Sequence, residues 1–90
     1  MNRLKNGYGL VSSNILRDPD ISLREKGLYA YLATYADSKG EITASINRMA
    51  NECGITQSTV KRTLEELKTK GIIARESRGI GTSFKTILLK

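Results

Sequence analysis

Between Ser45 and Gly71 the chain carries four punctuation marks that leave its backbone little choice. Ser45 is placed to cap a helix in which Ile46, Met49 and Ala50 face inward. Gly54 ends that helix, because glycine takes up the left-handed conformation past a C-terminus without a clashing Cβ. Thr56, two residues on, caps the next helix, and Gly71 stops it. Val60, Leu64 and Leu67 recur at i, i+4 and i+7 and give this second helix one apolar stripe. Ala50 is small enough for two helices to cross closely, Ile55 and Val60 plug the angle between them, and Met49 and Leu64 fill in from either side. Such a pair is a candidate helix-turn-helix unit.

The flanking segments supply the rest of a small fold. Ser22-Leu23-Arg24-Glu25 has the S-x-x-E form of a capping box, so a helix starts there and runs to about Ala36. Leu28, Leu32 and Tyr35 form its inner stripe, extended by Tyr31. Gly27 within it either permits close approach of another element or is simply tolerated. Ahead of this helix, Met1–Lys5 read as a frayed basic terminus, with residues 1–7 flexible. Tyr8-Gly9-Leu10-Val11 is a short β-prone piece, Ser13 caps a helical turn, and Asp18-Pro19-Asp20 forces a bend. Ser38-Lys39-Gly40 breaks the long helix, and Glu41-Ile42-Thr43 reads as a brief strand. After Gly71 the period changes. Two β-prone runs, from Ile72 to Glu76 and from Ser83 to Leu89, are joined through Gly79-Ile80-Gly81 and read as a hairpin. The expected fold is mainly α with a small β-sheet: a three-helix core followed by a C-terminal hairpin wing, all in one domain.

Composition narrows the chemistry. The chain has 90 residues, no histidine and a single cysteine, Cys53. An internal disulfide is therefore impossible, and neither a structural zinc site nor the commonest general base is available. No catalytic, metal-binding or cofactor-binding residue is assigned, and no small-molecule ligand is evident. No apolar run reaches the roughly 18–20 residues that cross a bilayer, and no secretory signal is present, so a cytoplasmic protein is expected. The net charge of +6 favours polyanionic partners. Residues 41–90 hold nine Lys and Arg against five Asp and Glu, so +4 of that charge lies in the half that carries the helix pair.

On a helical wheel with Val60 at zero, Leu64 and Leu67 fall within about 40° of it, while Ser58 and Arg62 point directly away. Gln57 and Lys61 lie on one flank. Gln57, Ser58, Lys61 and Arg62 thus make a polar, basic face at the N-terminal half of the helix, the part that a recognition helix inserts into the major groove. The residue types fit. Arginine can donate twice to guanine, glutamine pairs bidentately with adenine, and serine serves several bases. Ser45, Thr56 and Thr59, with the free N–H groups of first helical turns, suit phosphates. Glu65-Glu66 would be repelled by phosphate, so the contact zone ends near Arg62. Arg75, Arg78 and Lys85 make the hairpin basic, for contact with the DNA backbone or the minor groove.

The run "MANECGITQSTVKRTLEELKTKGII" resembles the core of winged helix-turn-helix DNA-binding domains. "YGLVSSNILRDPDISLREKGLYAYLATYADSKGEI" is similar to the start of helix-turn-helix proteins from plasmids and phages of Gram-positive bacteria, among them replication-initiator or DnaD-like N-terminal domains. The resemblance covers roughly residues 8–85. It implies sequence-specific binding of double-stranded DNA, with a recognition helix over about 56–70 and a wing over about 73–89. It also implies Gln57, Ser58 and Arg62 at bases and Thr59 at a phosphate. The chain stops after the wing, which favours a transcriptional regulator, a plasmid partition or transfer accessory factor, or a piece of a longer protein over an initiator.

Blander readings stand beside these. Lys61 and Arg62 could be an ordinary solvated face, and Arg75 and Arg78 could simply protect an edge strand. Cys53 reads as a small buried turn residue, with redox sensing as the lesser alternative. A homodimer on paired half-sites is expected, because one small domain makes few base contacts. Tyr8–Val11, the tyrosines 29, 31 and 35, and Ile87-Leu88-Leu89 are the candidate contacts, the three tyrosines reading equally as core residues. The competing function is a winged-helix docking module, which would carry apolar or aromatic anchors where this chain has Gln57, Ser58, Lys61 and Arg62.

Overall fold

The computed structural model describes residues 8–77 and 84–90. The terminus Met1–Lys5, the turn Gly79-Ile80-Gly81 and Arg78 lie outside the described residues. Along the chain come α1 (Ser13–Leu16), α2 (Leu23–Tyr35), β1 (Glu41–Ile42), α3 (Ile46–Cys53), α4 (Gln57–Thr69), β2 (Ile73–Ser77) and β3 (Phe84–Leu88).

The helices begin where the caps dictate. Ser22 Oγ accepts from the Glu25 N–H at 3.1 Å while Glu25 Oε1 accepts from the Ser22 N–H at 2.7 Å, closing the capping box of α2. Ser45 Oγ accepts from the Arg48 N–H, and Thr56 Oγ1 from the Thr59 N–H. Each such cap stabilises its helix by about 1 kcal/mol. Gly54 and Gly71 both stand at positive φ, 72° and 75°, and release the chain from α3 and α4. Gly54 lets the Ala50 carbonyl accept from the N–H groups of both Gly54 and Ile55, so the turn into α4 is only three residues long.

α4 is the hub. It packs against α2 on one side and α3 on another, and β2 follows back across it. Its Val60, Leu64 and Leu67 are fully buried. Around them close Leu28, Tyr29 and Leu32 of α2, Met49 and Ala50 of α3, Ile42 of β1, and Ile72 and Ile73 at the start of the hairpin. Burying one such side chain contributes about 1.5–3 kcal/mol.

The three strands form one antiparallel sheet in the order β1-β3-β2. β3 is therefore central: Ile42 pairs with Thr86, and Arg75 pairs with the same Thr86 from the other edge. Helices followed by a hairpin whose second strand is joined by a short strand from between α2 and α3 are the winged helix-turn-helix architecture.

Three local expectations are corrected. Tyr8–Val11 form no strand. They lie along α2, where a Cβ on Gly9 would stand 2.4 Å from the Ala33 carbonyl oxygen, and backbone beside a helix has no strand partner with which to realise its β propensity. The cap position of α1 is Ser12 rather than Ser13, and its side chain makes no capping bond. The inner stripe of α2 is Leu28, Tyr29, Leu32 and Ala33, whereas Tyr31 and Tyr35 are half-buried at its margin. Tyr29 is wholly inside, so of its two expected roles, core or dimer contact, it takes the first. Its hydroxyl accepts from the Ser12 N–H at 2.7 Å and donates to the Lys90 carbonyl at 3.1 Å, which ties the two ends of the domain to α2. Gly27, for its part, meets nothing within 4 Å and is simply tolerated.

Candidate nucleic-acid interface

The buried stripe of α4 fixes which side of the helix faces out. Because Val60, Leu64 and Leu67 point into the core, Gln57, Ser58, Lys61 and Arg62 are all exposed. They form one ridge on the first two turns. Thr63, at the edge of the core stripe, is buried; its hydroxyl donates to the Thr59 carbonyl at 2.7 Å and accepts from Arg24 Nε at 3.0 Å. Arg24 also donates to Glu66 Oε1 at 2.5 Å. Glu66 is thereby matched by a cation from α2, and Glu65 lies 3.9 Å from Lys68. The acidic pair just beyond the ridge carries its own counter-charges. Arg62 borders an open groove against the start of α2, beside Ser22, Arg24 and Glu66.

The N-terminus of α4 meets that of α3. Gln57 Nε2 donates to Asn47 Oδ1 at 3.1 Å, across the turn. Thr56 Oγ1 and Thr59 Oγ1 lie 2.9 Å apart, so the two hydroxyls expected at phosphates already bond each other. Ser45 is exposed at the start of α3. The structure thus brings Ser45, Asn47, Thr56 and Gln57 to the adjoining N-termini of the helix pair, where first-turn N–H groups and the positive ends of two helix dipoles also point, while Ser58, Lys61 and Arg62 continue along the exposed side of α4.

The hairpin residues are divided. Directly paired residues share a face of a sheet and neighbours along a strand alternate. Arg75, paired with Thr86, is on the inner face; Lys85, paired with Glu76, is on the outer one. Arg75 is half-buried, and burial holds its guanidinium below the usual arginine range against the opposing pull of Glu65. Lys85 Nζ lies 3.0 Å from Glu41 Oε2, a diagonal pair across β3 and β1. Arg75 and Lys85 therefore do not form one basic surface, which alternation along the strands would have indicated.

Two features escaped the sequence reading. Asn47 is one. The other is a cluster on α2 and α3 in which Tyr31 and Tyr35 donate to Glu52 Oε1 at 2.6 and 2.5 Å. Arg48 stands 3.6 Å from Glu52 Oε2 and over the Tyr35 ring. These hydrogen bonds, chiefly that from Tyr31, hold the Glu52 carboxyl below the usual range, and burial first and Glu52 second push the Tyr31 hydroxyl up. The i, i+4 spacings of Tyr31–Tyr35 and Arg48–Glu52 were visible; that α2 and α3 would bring them together was not. Cys53 is half-buried, and burial raises its thiol.

Among the described residues no group of His, Cys, Asp and Glu could hold a metal, and no helix is long and apolar enough to cross a membrane. No curated protein matches the chain. The helix-turn-helix domain family matches residues 20–73, from the turn before α2 to the first residue of β2. That span is more than half of the chain and contains the whole helix pair with its exposed ridge. The chain belongs to this helix-turn-helix family, and membership supports a DNA-binding role.

Proposed function

We propose that the protein binds double-stranded DNA sequence-specifically, with α4 in the major groove. Gln57, Ser58, Lys61 and Arg62 read bases, and Ser45, Thr56 and Thr59 hold phosphates. The hairpin, through Arg78 and Lys85, lies on the backbone or in the minor groove, while Arg75, on the inner face of the sheet, takes no part in the contact. The observation that carries this reading is the ridge itself: four exposed polar or basic side chains on the outward face of a helix whose opposite face is fully buried. An apolar anchor of the kind a docking module uses is not found on that face.

The protein acts in the cytoplasm as a homodimer on paired half-sites. Exposed Tyr8, Leu10, Val11 and Leu89 support a dimer contact, since Tyr29 gathers the two chain ends that carry them. The role is that of a transcriptional regulator or of an accessory factor in plasmid or phage replication, partition or transfer.

The experiment is duplex binding by the wild type, Arg62→Ala and Lys85→Ala, on DNA selected from random sequence. Arg62→Ala costs about 1–3 kcal/mol and relaxes preference at one base pair, while Lys85→Ala weakens all sequences alike. Wild-type binding weakens steeply with added salt as released counterions return to the phosphates. Unchanged affinity in both variants would refute the assignment.

A further inference from the structure

The bond between Gln57 and Asn47 has a consequence for what Gln57 presents. Asn47 lies in the first turn of α3 and Gln57 in the first turn of α4, and both are exposed. A primary amide offers two N–H donors and a carbonyl acceptor. The bond to Asn47 Oδ1 takes up one of the two Gln57 N–H groups. What remains on Gln57 is one donor beside one acceptor, the complement of adenine N7 and N6 in the major groove. A free glutamine must be ordered when it binds, and holding such a side chain in place beforehand favours binding by about 2- to 10-fold. On Asn47 the same bond engages the carbonyl, and the NH₂ group keeps two donors suited to a phosphate oxygen.

Resting on the DNA-reading role given above, we propose that Asn47 is a positioning residue. It holds the Gln57 amide in the orientation that pairs with adenine, and its own NH₂ group donates to the adjoining phosphate. The specificity of one base pair is then set by two side chains, one from each helix of the pair.

The test measures affinity for the duplex selected from random sequence and for versions with each A·T pair changed to G·C. The proteins are wild type, Asn47→Ala, Asn47→Asp, Gln57→Ala, the Asn47→Ala/Gln57→Ala double variant and Arg62→Ala. Gln57→Ala loses discrimination at one A·T pair by about 5- to 100-fold. Asn47→Ala loses about 2- to 10-fold at that same pair. The double variant discriminates no worse than Gln57→Ala alone. Asn47→Asp separates the two roles: its carboxylate still accepts from Gln57, so discrimination is kept, but it lacks the NH₂ donors and adds negative charge, so all duplexes bind more weakly. Amide spectra of each variant check that the fold is intact.

The inference is overturned if Asn47→Ala leaves discrimination at the wild-type level, if it lowers it equally with and without Gln57, or if Asn47→Asp loses discrimination as Asn47→Ala does. Full wild-type affinity in Asn47→Asp would remove the phosphate contact. Arg62→Ala tells the two failures apart. If it weakens binding while Gln57→Ala or Asn47→Ala leaves preference untouched, the positioning role alone fails. If Arg62→Ala and Gln57→Ala both leave binding untouched, the DNA-reading role fails.

Discussion

Lys70→Met would remove an ammonium group that joins the end of α4 to the start of α2. Lys70 follows α4, and its Nζ lies 2.7 Å from both carboxylate oxygens of Glu25, the capping-box glutamate of α2. It also donates to the Asp20 carbonyl at 2.9 Å. The Glu25 side chain is only 4% exposed, while that of Lys70 is 37% exposed. Breaking a fully buried pair costs about 3–5 kcal/mol, and an exposed pair contributes about 0–1. With one partner buried and the other reaching water, the loss is about 2 kcal/mol, or about 8–16 °C in Tm for a domain of this size.

The pH dependence identifies the cause. Burial pushes the Glu25 carboxyl up, but the Lys70 ammonium and the Ser22 backbone and side-chain hydrogen bonds outweigh it and hold the pKa below the ordinary 4.5. A lowered carboxylate pKa stabilises the fold fully above the unfolded value and ceases to do so as pH falls through the folded one. The deficit of Lys70→Met is therefore largest at neutral pH and shrinks as acid protonates Glu25, which in the variant has lost the ammonium that holds its pKa down. Adding Glu25→Gln to Lys70→Met recovers part of the loss, because no charge is left buried. Urea unfolding of the three proteins between about pH 7 and about pH 3 measures all of this. A deficit under about 0.5 kcal/mol at neutral pH, or one that does not change with acid, would refute the reasoning.

Two further substitutions carry opposite signs. Gly27→Ala raises stability by about 0.5–1 kcal/mol, since the position is mid-helix and the new methyl group meets nothing; any loss in thermal unfolding would contradict this. Tyr29→Phe costs about 1–2 kcal/mol by leaving the Ser12 N–H and the Lys90 carbonyl without the hydroxyl that joins them; hydrogen exchange at Ser12 should quicken, and an unchanged rate would show that the tether is idle.

What the sequence disclosed and what it withheld divide by distance along the chain. Caps are contacts between residues three apart, so Ser22, Ser45 and Thr56 could be read directly. The positive φ of Gly54 and Gly71 followed from residue type and place. The ridge was legible because the Val60–Leu64–Leu67 stripe orients α4 whatever it packs against. Long-range contacts left no such mark. The choice of Tyr29 over Tyr35 for the interior depends on where α4 and the chain ends lie, and both tyrosines suit a helix face equally. Glu25 could be recognised as a cap but not as the partner of Lys70, 45 residues away. Gly9 looked like part of a strand because its reason, the close passage over Ala33, lies in α2. The hairpin was recognised, but Arg75, Arg78 and Lys85 were read together by charge, whereas alternation sends Arg75 inward and Lys85 outward.

The central claim is that the outward face of α4 meets duplex DNA, and amide chemical-shift mapping tests it most directly. Titration of the ¹⁵N-labelled protein with its selected duplex should move Ser45, Thr56, Gln57, Ser58, Lys61 and Arg62 most, with the far side of the domain little affected. Shifts centred instead on residues 8–12 and Leu89, with the first two turns of α4 unmoved, would contradict the account.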